Sequence, residues 1–91
     1  MRMTMQKKVV MYVMAGCPYC VRAEQLLMQK QGLQIEKIWV DREPQRKQEM
    51  IQMTGRRTVP QIYIGDVHVG GCDDLHVLEH SGELDQLLDI Q

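Results

Sequence analysis

An apolar, β-branched run, "VVMYV" (Val9 to Val13), gives way to a helical pattern, which in turn gives way to "IEKIWV" (Ile35 to Val40). That succession constrains the fold more than any other feature of the chain. The first run is apolar on both faces, as in a central strand buried on two sides. From Cys20 onward, Cys20, Ala23 and Leu27 share one helical face with Leu26 beside them, while Arg22, Glu24 and Gln25 point to water. Gly32 suits the stop of this helix. The third stretch alternates like a second strand. Strand, helix and strand within about 30 residues make a βαβ unit with its strands parallel.

The rest of the chain extends this unit. Pro44 fits the first turn of a second helix that carries Met50 and Ile51 inward and ends near Gly55. "PQIYIGDVHVGG" (Pro60 to Gly71) reads as two strands around a Gly65-Asp66 turn. Asp73 or Asp74 caps a third helix running through Leu78. After Gly82 a short closing helix packs Leu84, Leu87 and Leu88 on one side. The expected order is β-α-β-α-β-β-α plus a short C-terminal helix: an α/β fold with a four-stranded mixed sheet flanked by helices.

Ninety-one residues support a single domain, with residues 1–7 a flexible start. Eleven basic and twelve acidic side chains give a net charge of −1, so no whole-chain electrostatic case exists for nucleic acid or an anionic membrane. No apolar run approaches the roughly 20 residues that span a bilayer. "KKVVMYVMAGC" (Lys7 to Cys17) has the look of a lipoprotein signal. Cleavage there would remove the first strand and leave roughly 75 residues, a size at which cores become marginal, so it is read as a strand. Phe is absent and eight Met are present, flexible side chains that fill gaps in a small core.

Three cysteines are too few for a secreted disulfide scaffold and point to a reducing compartment, the cytoplasm. Two of them stand three positions apart in "CPYC" (Cys17 to Cys20), at the junction of first strand and first helix. Unpaired N–H groups and the positive end of the helix stabilise a thiolate at Cys17, and thiols so placed reach pKa values of roughly 3.5–7.5. Pro18 is tolerated because its missing N–H would have no partner there. Cys20 lies over the apolar face and is the more shielded. Cys17 is therefore the attacking thiol and Cys20 the resolving one. A zinc site needs four ligands. Cys72 with His68, His76 or His80 would have to complete it, and no second CxxC pair exists. A structural disulfide closing so short a loop gains little, and a reducing compartment would open it.

Three blocks, "CPYC" (Cys17 to Cys20), "RRTVPQIYI" (Arg56 to Ile64) and "GGCDDL" (Gly70 to Leu75), occur in an order and spacing that resemble the glutaredoxin family in its small dithiol bacterial form. The likeness runs from about Lys8 to Leu88. It implies a thioredoxin-like fold and a glutathione-dependent reduction of protein disulfides and glutathione-mixed disulfides. Glutathione would be co-substrate, disulfide-containing or glutathionylated proteins would be partners, and the chain would be a monomer without metal.

The resemblance also implies roles. Pro60 would be cis and face the cysteines, with Thr58 beside it and Val59 offering its N–H and C=O to an extended glutathione. An ordinary strand start is the plain alternative at these positions. Gly71, Cys72, Asp73 and Asp74 would receive the γ-glutamyl carboxylate on the N–H groups of Cys72 and Asp73, with an acidic side chain near its amine. Helix capping is the plain alternative for the two aspartates. Tyr19 matches the family's active-site aromatic, or is an exposed turn residue. Gln52 and Arg57 occupy positions that hold the glycyl carboxylate in relatives, or are solvated surface. Cys72 reads as a small buried residue rather than a regulatory thiol, and His68 as hairpin surface.

Relatives commonly carry Lys three residues before the first active-site Cys, where this chain has Met14. Two other readings stay open within the resemblance. One is an electron donor reduced directly by thioredoxin reductase, which the "TVP" and "GGCDD" blocks oppose. The other is a carrier with an iron–sulfur cluster held between two subunits by Cys17 and glutathione, although such relatives usually lack a residue like Cys20.

Overall fold

The computed structural model describes residues 7–30 and 32–89. The flexible start expected at residues 1–7 lies outside the described residues except for Lys7, whose N–H donates to the Leu88 carbonyl at 3.3 Å.

The elements follow in the order β1 (Val9–Val13), α1 (Pro18–Met28), β2 (Ile35–Trp39), α2 (Pro44–Thr54), β3 (Gln61–Ile64), β4 (Val67–Gly70), α3 (Cys72–Ser81) and α4 (Glu83–Leu88). One sheet contains the four strands in the order β2-β1-β3-β4. β1 runs parallel to β2, with Val9 opposite Ile35 and Val13 opposite Trp39, and antiparallel to β3. β4 closes the hairpin on β3.

Because side chains alternate across a strand, β1 feeds two cores. Val9, Met11 and Val13 join Ala23 and Leu27 of α1, Leu75 of α3 and Leu84 and Leu88 of α4. Val10 and Tyr12 turn to the other face, where Met50 and Ile51 of α2 cover them together with Ile38 and Val40. The two-sided apolar run is thus a central strand between two layers of helix.

Three boundaries differ from expectation. α1 ends at Met28 with a right-handed cap at Gln29, and Gly32 sits beyond it in the turn at φ +78°. A tertiary anchor holds the chain there: Lys30 Nζ lies 2.7 Å from Glu79 Oε1 and 2.8 Å from Asp85 Oδ1. α3 continues past Leu78 to Ser81, and left-handed Gly82 ends it. β2 stops at Trp39, although Val40 still donates to the Val13 carbonyl at 2.9 Å.

Candidate active site

Cys17 is the N-cap of α1, and Pro18 is the first helical residue. The Cys20 N–H donates to Cys17 Sγ at 3.1 Å, so the sulfur satisfies one of the orphan donors of the helix start. The two cysteines are joined as a disulfide with Cα atoms 5.2 Å apart. Their surroundings differ. Cys17 is partly exposed, while Cys20 is 5% exposed and belongs to the main core. A partner sulfur can reach the first and not the second.

Beside the pair lies a cleft of about 330 Å³ lined by Tyr19, Arg56, Thr58, Val59, Pro60 and Gln61 on one side and by residues 71–74 on the other. The Val59–Pro60 bond is cis, and the Val59 carbonyl lies 3.9 Å from Cys17 Sγ. Tyr19 is 56% exposed, with the Arg22 guanidinium 5.6 Å from its ring centroid. The structure therefore brings Tyr19, Thr58, Val59, Pro60, Gly71, Cys72, Asp73 and Asp74 around one cleft. Gln52 and Arg57 are exposed and lie outside its lining. Arg56 stands on its rim instead.

The start of α3 forms the opposite wall. Gly71 is its N-cap, and having no side chain it caps nothing itself. Asp74 serves in its place: the Gly71 N–H donates to Asp74 Oδ2 at 2.9 Å, and Arg56 Nη1 donates to the same oxygen at 3.2 Å. The N–H groups of Cys72 and Asp73 occupy first-turn positions that have no helical acceptor. Among the described residues the Asp73 carboxylate has no partner, so the capping aspartate is Asp74. Those two N–H groups and the helix dipole favour an anion at this wall.

Cys72 is buried on the inner side of the same turn, and burial pushes its thiol up, with the Arg22 charge opposing. A thiol so shifted is a weak nucleophile near neutral pH. His68, expected at the hairpin surface, is partly buried: its ring tilts over Tyr63 at 5.0 Å and its Nε2 lies 2.8 Å from Gln61 Oε1. Met14 is 41% exposed, and the neighbouring Ala15 N–H donates to Asp41 Oδ2 at 3.2 Å. Among the described residues no group of three or more His, Cys, Asp or Glu could hold a metal ion, and no helix is long and apolar enough to cross a membrane.

The sequence pattern assigned no role at the cleft to Arg56 or Gln61, and it placed His68 on the hairpin surface. Arg56 and Arg57 are adjacent in a stretch without strand or helix, so no periodicity says which faces the cleft.

The Gly71 N–H, and after it the Arg56 guanidinium, hold the Asp74 carboxyl below the usual carboxylate range. A depressed folded-state pKa contributes stability that is present above the unfolded value and lost as pH falls through the folded one. Asp74→Asn should therefore lower the denaturation midpoint by a constant amount near neutrality, and the gap from the unaltered chain should close below about pH 4. A gap that stays constant down to pH 2 would show that the Asp74 charge contributes nothing.

The family profile described as glutaredoxin matches residues 9–69. A glutaredoxin of Pseudomonas aeruginosa is 54% identical over 80 residues, covering 88% of this chain and 94% of that protein. Glutaredoxin 3 of Escherichia coli is 46% identical over 80 residues, covering 88% and 95%. Among solved structures, a buckwheat glutaredoxin–glutathione complex superposes with a TM-score of 0.82 at 32% identity, covering 91% of this chain and 77% of that one.

Proposed function

The chain belongs to the glutaredoxin family of thiol-disulfide oxidoreductases, and from that premise we propose that glutathione is its electron donor and glutathione-mixed and protein disulfides are its substrates. One observation carries the reading. A partly exposed Cys17 at a helix N-terminus, paired with a buried Cys20, lies 3.9 Å from the carbonyl of Val59, one of the residues that line the cleft. The backbone at Thr58 and Val59, outside any helix or strand, suits a short peptide, and the N–H groups at the start of α3 suit its carboxylate. Arg56 adds a cation at the rim. The glutathione held by the buckwheat relative supports the same ligand here.

In the monothiol route the Cys17 thiolate attacks the glutathione sulfur of a glutathionylated protein. The protein leaves as thiolate and takes up a proton, and Cys17 is left in a mixed disulfide with glutathione. A second glutathione thiolate attacks that glutathione sulfur, which releases glutathione disulfide and the Cys17 thiolate. In the dithiol route Cys17 attacks a protein disulfide, and Cys20 then displaces the reduced protein to form the Cys17–Cys20 bond. Two glutathione molecules reopen it. The helix N-terminus makes Cys17 both a ready nucleophile and a good leaving group. The chain works as a monomer in the cytoplasm, where glutathione is kept reduced.

A coupled assay separates this reading from reduction by thioredoxin reductase. With glutathione, glutathione reductase and NADPH, the chain should turn over a glutathionylated peptide. With thioredoxin reductase and NADPH as the only source of electrons, turnover should fall to background. The opposite pattern would assign the electrons to the reductase and refute the glutathione reading.

A further inference from the structure

Gln61 opens β3 directly after the cis Val59–Pro60 bond, and its side chain is 0% exposed. A buried amide is destabilising unless its donors and acceptor find partners, and here they do. Its Nε2 donates to the Thr58 carbonyl at 2.9 Å and lies 3.3 Å from Thr58 Oγ1. Its Oε1 lies 2.8 Å from His68 Nε2 on the neighbouring strand. The network assigns the orientation, because the flipped amide would set Oε1 against the Thr58 carbonyl. His68 Nε2 must then carry the hydrogen. It does so both in the neutral Nε2–H tautomer and in the imidazolium. Arg56 and Asp74 are the charged groups facing the ring. Burial and the Arg56 charge hold its pKa down, with Asp74 opposing.

Packing alone does not call for an amide at this position. Gln61 shares a face of β3 with Tyr63, where an apolar side chain of similar size would carry no desolvation penalty. The amide connects two places that matter to the cleft. One end is tied to β4 through a His68 ring stacked on Tyr63. The other end holds the carbonyl just before Val59, and the Val59 carbonyl faces Cys17. We propose that Gln61 and His68 are positioning residues: His68 orients the Gln61 amide, and Gln61 holds Thr58 so that Val59 presents its backbone to the substrate beside Cys17. Neither side chain needs to touch the reacting sulfurs. This role deepens the glutathione reading, on which the identity of its substrate rests.

The test compares His68→Leu, His68→Gln and Gln61→Leu with the unaltered chain. Steady-state kinetics on a glutathionylated peptide are measured beside NMR order parameters for the Thr58 and Val59 amides. Loss of one neutral hydrogen bond corresponds to about a three- to tenfold change. His68→Leu and Gln61→Leu should raise KM by that factor with kcat nearly unchanged, and should lower the order parameters at Thr58 and Val59. His68→Gln retains an N–H donor and should recover most of both. If His68→Leu leaves KM and the order parameters unchanged, even with a lower melting temperature, the pair is merely core and the positioning role is refuted. Should Gln61→Leu fail to fold, His68→Leu decides alone. If the unaltered chain does not turn over the peptide, the glutathione reading falls, and the order parameters decide the positioning role by themselves.

Discussion

Cys17→Ser is expected to abolish every thiol-disulfide activity of the chain, whereas Cys20→Ser should keep the reduction of glutathione-mixed disulfides and lose that of protein disulfides. A serine hydroxyl does not ionise near neutral pH, so the helix terminus that stabilises a thiolate has no anion to act on. Loss of a nucleophile costs on the order of 10³-fold or more in rate. Cys20 is different because it is shielded in the core, and in the proposed dithiol route it acts only after Cys17 has formed a bond to a protein partner. In the monothiol route glutathione takes over that step, so Cys20→Ser should retain at least about a tenth of the rate, with the glutathione thiolate as the attacking group. Parallel rates on a glutathionylated peptide and on a protein disulfide would show the split. Equal loss in both variants on both substrates would sink the division of roles.

Gly70→Ala should be the most damaging single-methyl change near the cleft, at about 2–4 kcal/mol of stability. Gly70 has φ +113°, a region that side-chain-bearing residues rarely adopt. A Cβ built there runs into the Asp74 carboxylate and approaches Arg56 Nη1 at 3.2 Å. Backbone strain accounts for roughly 1–3 kcal/mol. Displacing Asp74 from the Gly71 N–H adds a further part, discounted because the Arg56–Asp74 pair is about half exposed. Gly71→Ala is the control. Gly71 has φ −97°, and its Cβ would meet only the Pro60 carbonyl at 3.4 Å, an ordinary contact. It should cost below about 1 kcal/mol. Urea midpoints for the two variants test the contrast, and KM for glutathione should rise in Gly70→Ala as the start of α3 shifts. If the two variants unfold at the same urea concentration, the crowding at Gly70 has no energetic weight.

Much of this was legible before any coordinates because it is local. The "VVMYV" run, the 3.6-residue pattern after Cys20 and the alternation at Ile35 each declare their period within one segment, and a parallel βαβ unit follows from their order. The Gly65-Asp66 turn declares the hairpin in the same way. The asymmetry of the thiols needed only the junction of strand and helix: Cys17 precedes the first turn, and Cys20 falls on the apolar stripe. The two aspartates after "GGC" announced a helix start, although which one caps was open between them.

Other features were decided only when distant segments met. Residues 55–60 have no period, so nothing local chooses Arg56 over Arg57 for the cleft; the Asp74 carboxylate, eighteen positions away, makes the choice. α1 ends at Met28, and just beyond it Lys30 is held by Glu79 and Asp85 on α3 and α4. His68 looked like hairpin surface, and a two-residue turn with simple alternation supports that reading. A bulge in β4 changes the register between the Tyr63–His68 and Ile62–Gly70 pairs, and the His68 ring lies against Tyr63 with its Nε2 on Gln61. Sequence by itself determined which segments form strands and helices and which of the two paired sulfurs is the more shielded, because these depend on neighbours along the chain. Tertiary structure decided which side chains complete the cleft, because a hydrogen bond or ion pair between distant segments depends on register and helix length to within an ångström, and no local pattern encodes that.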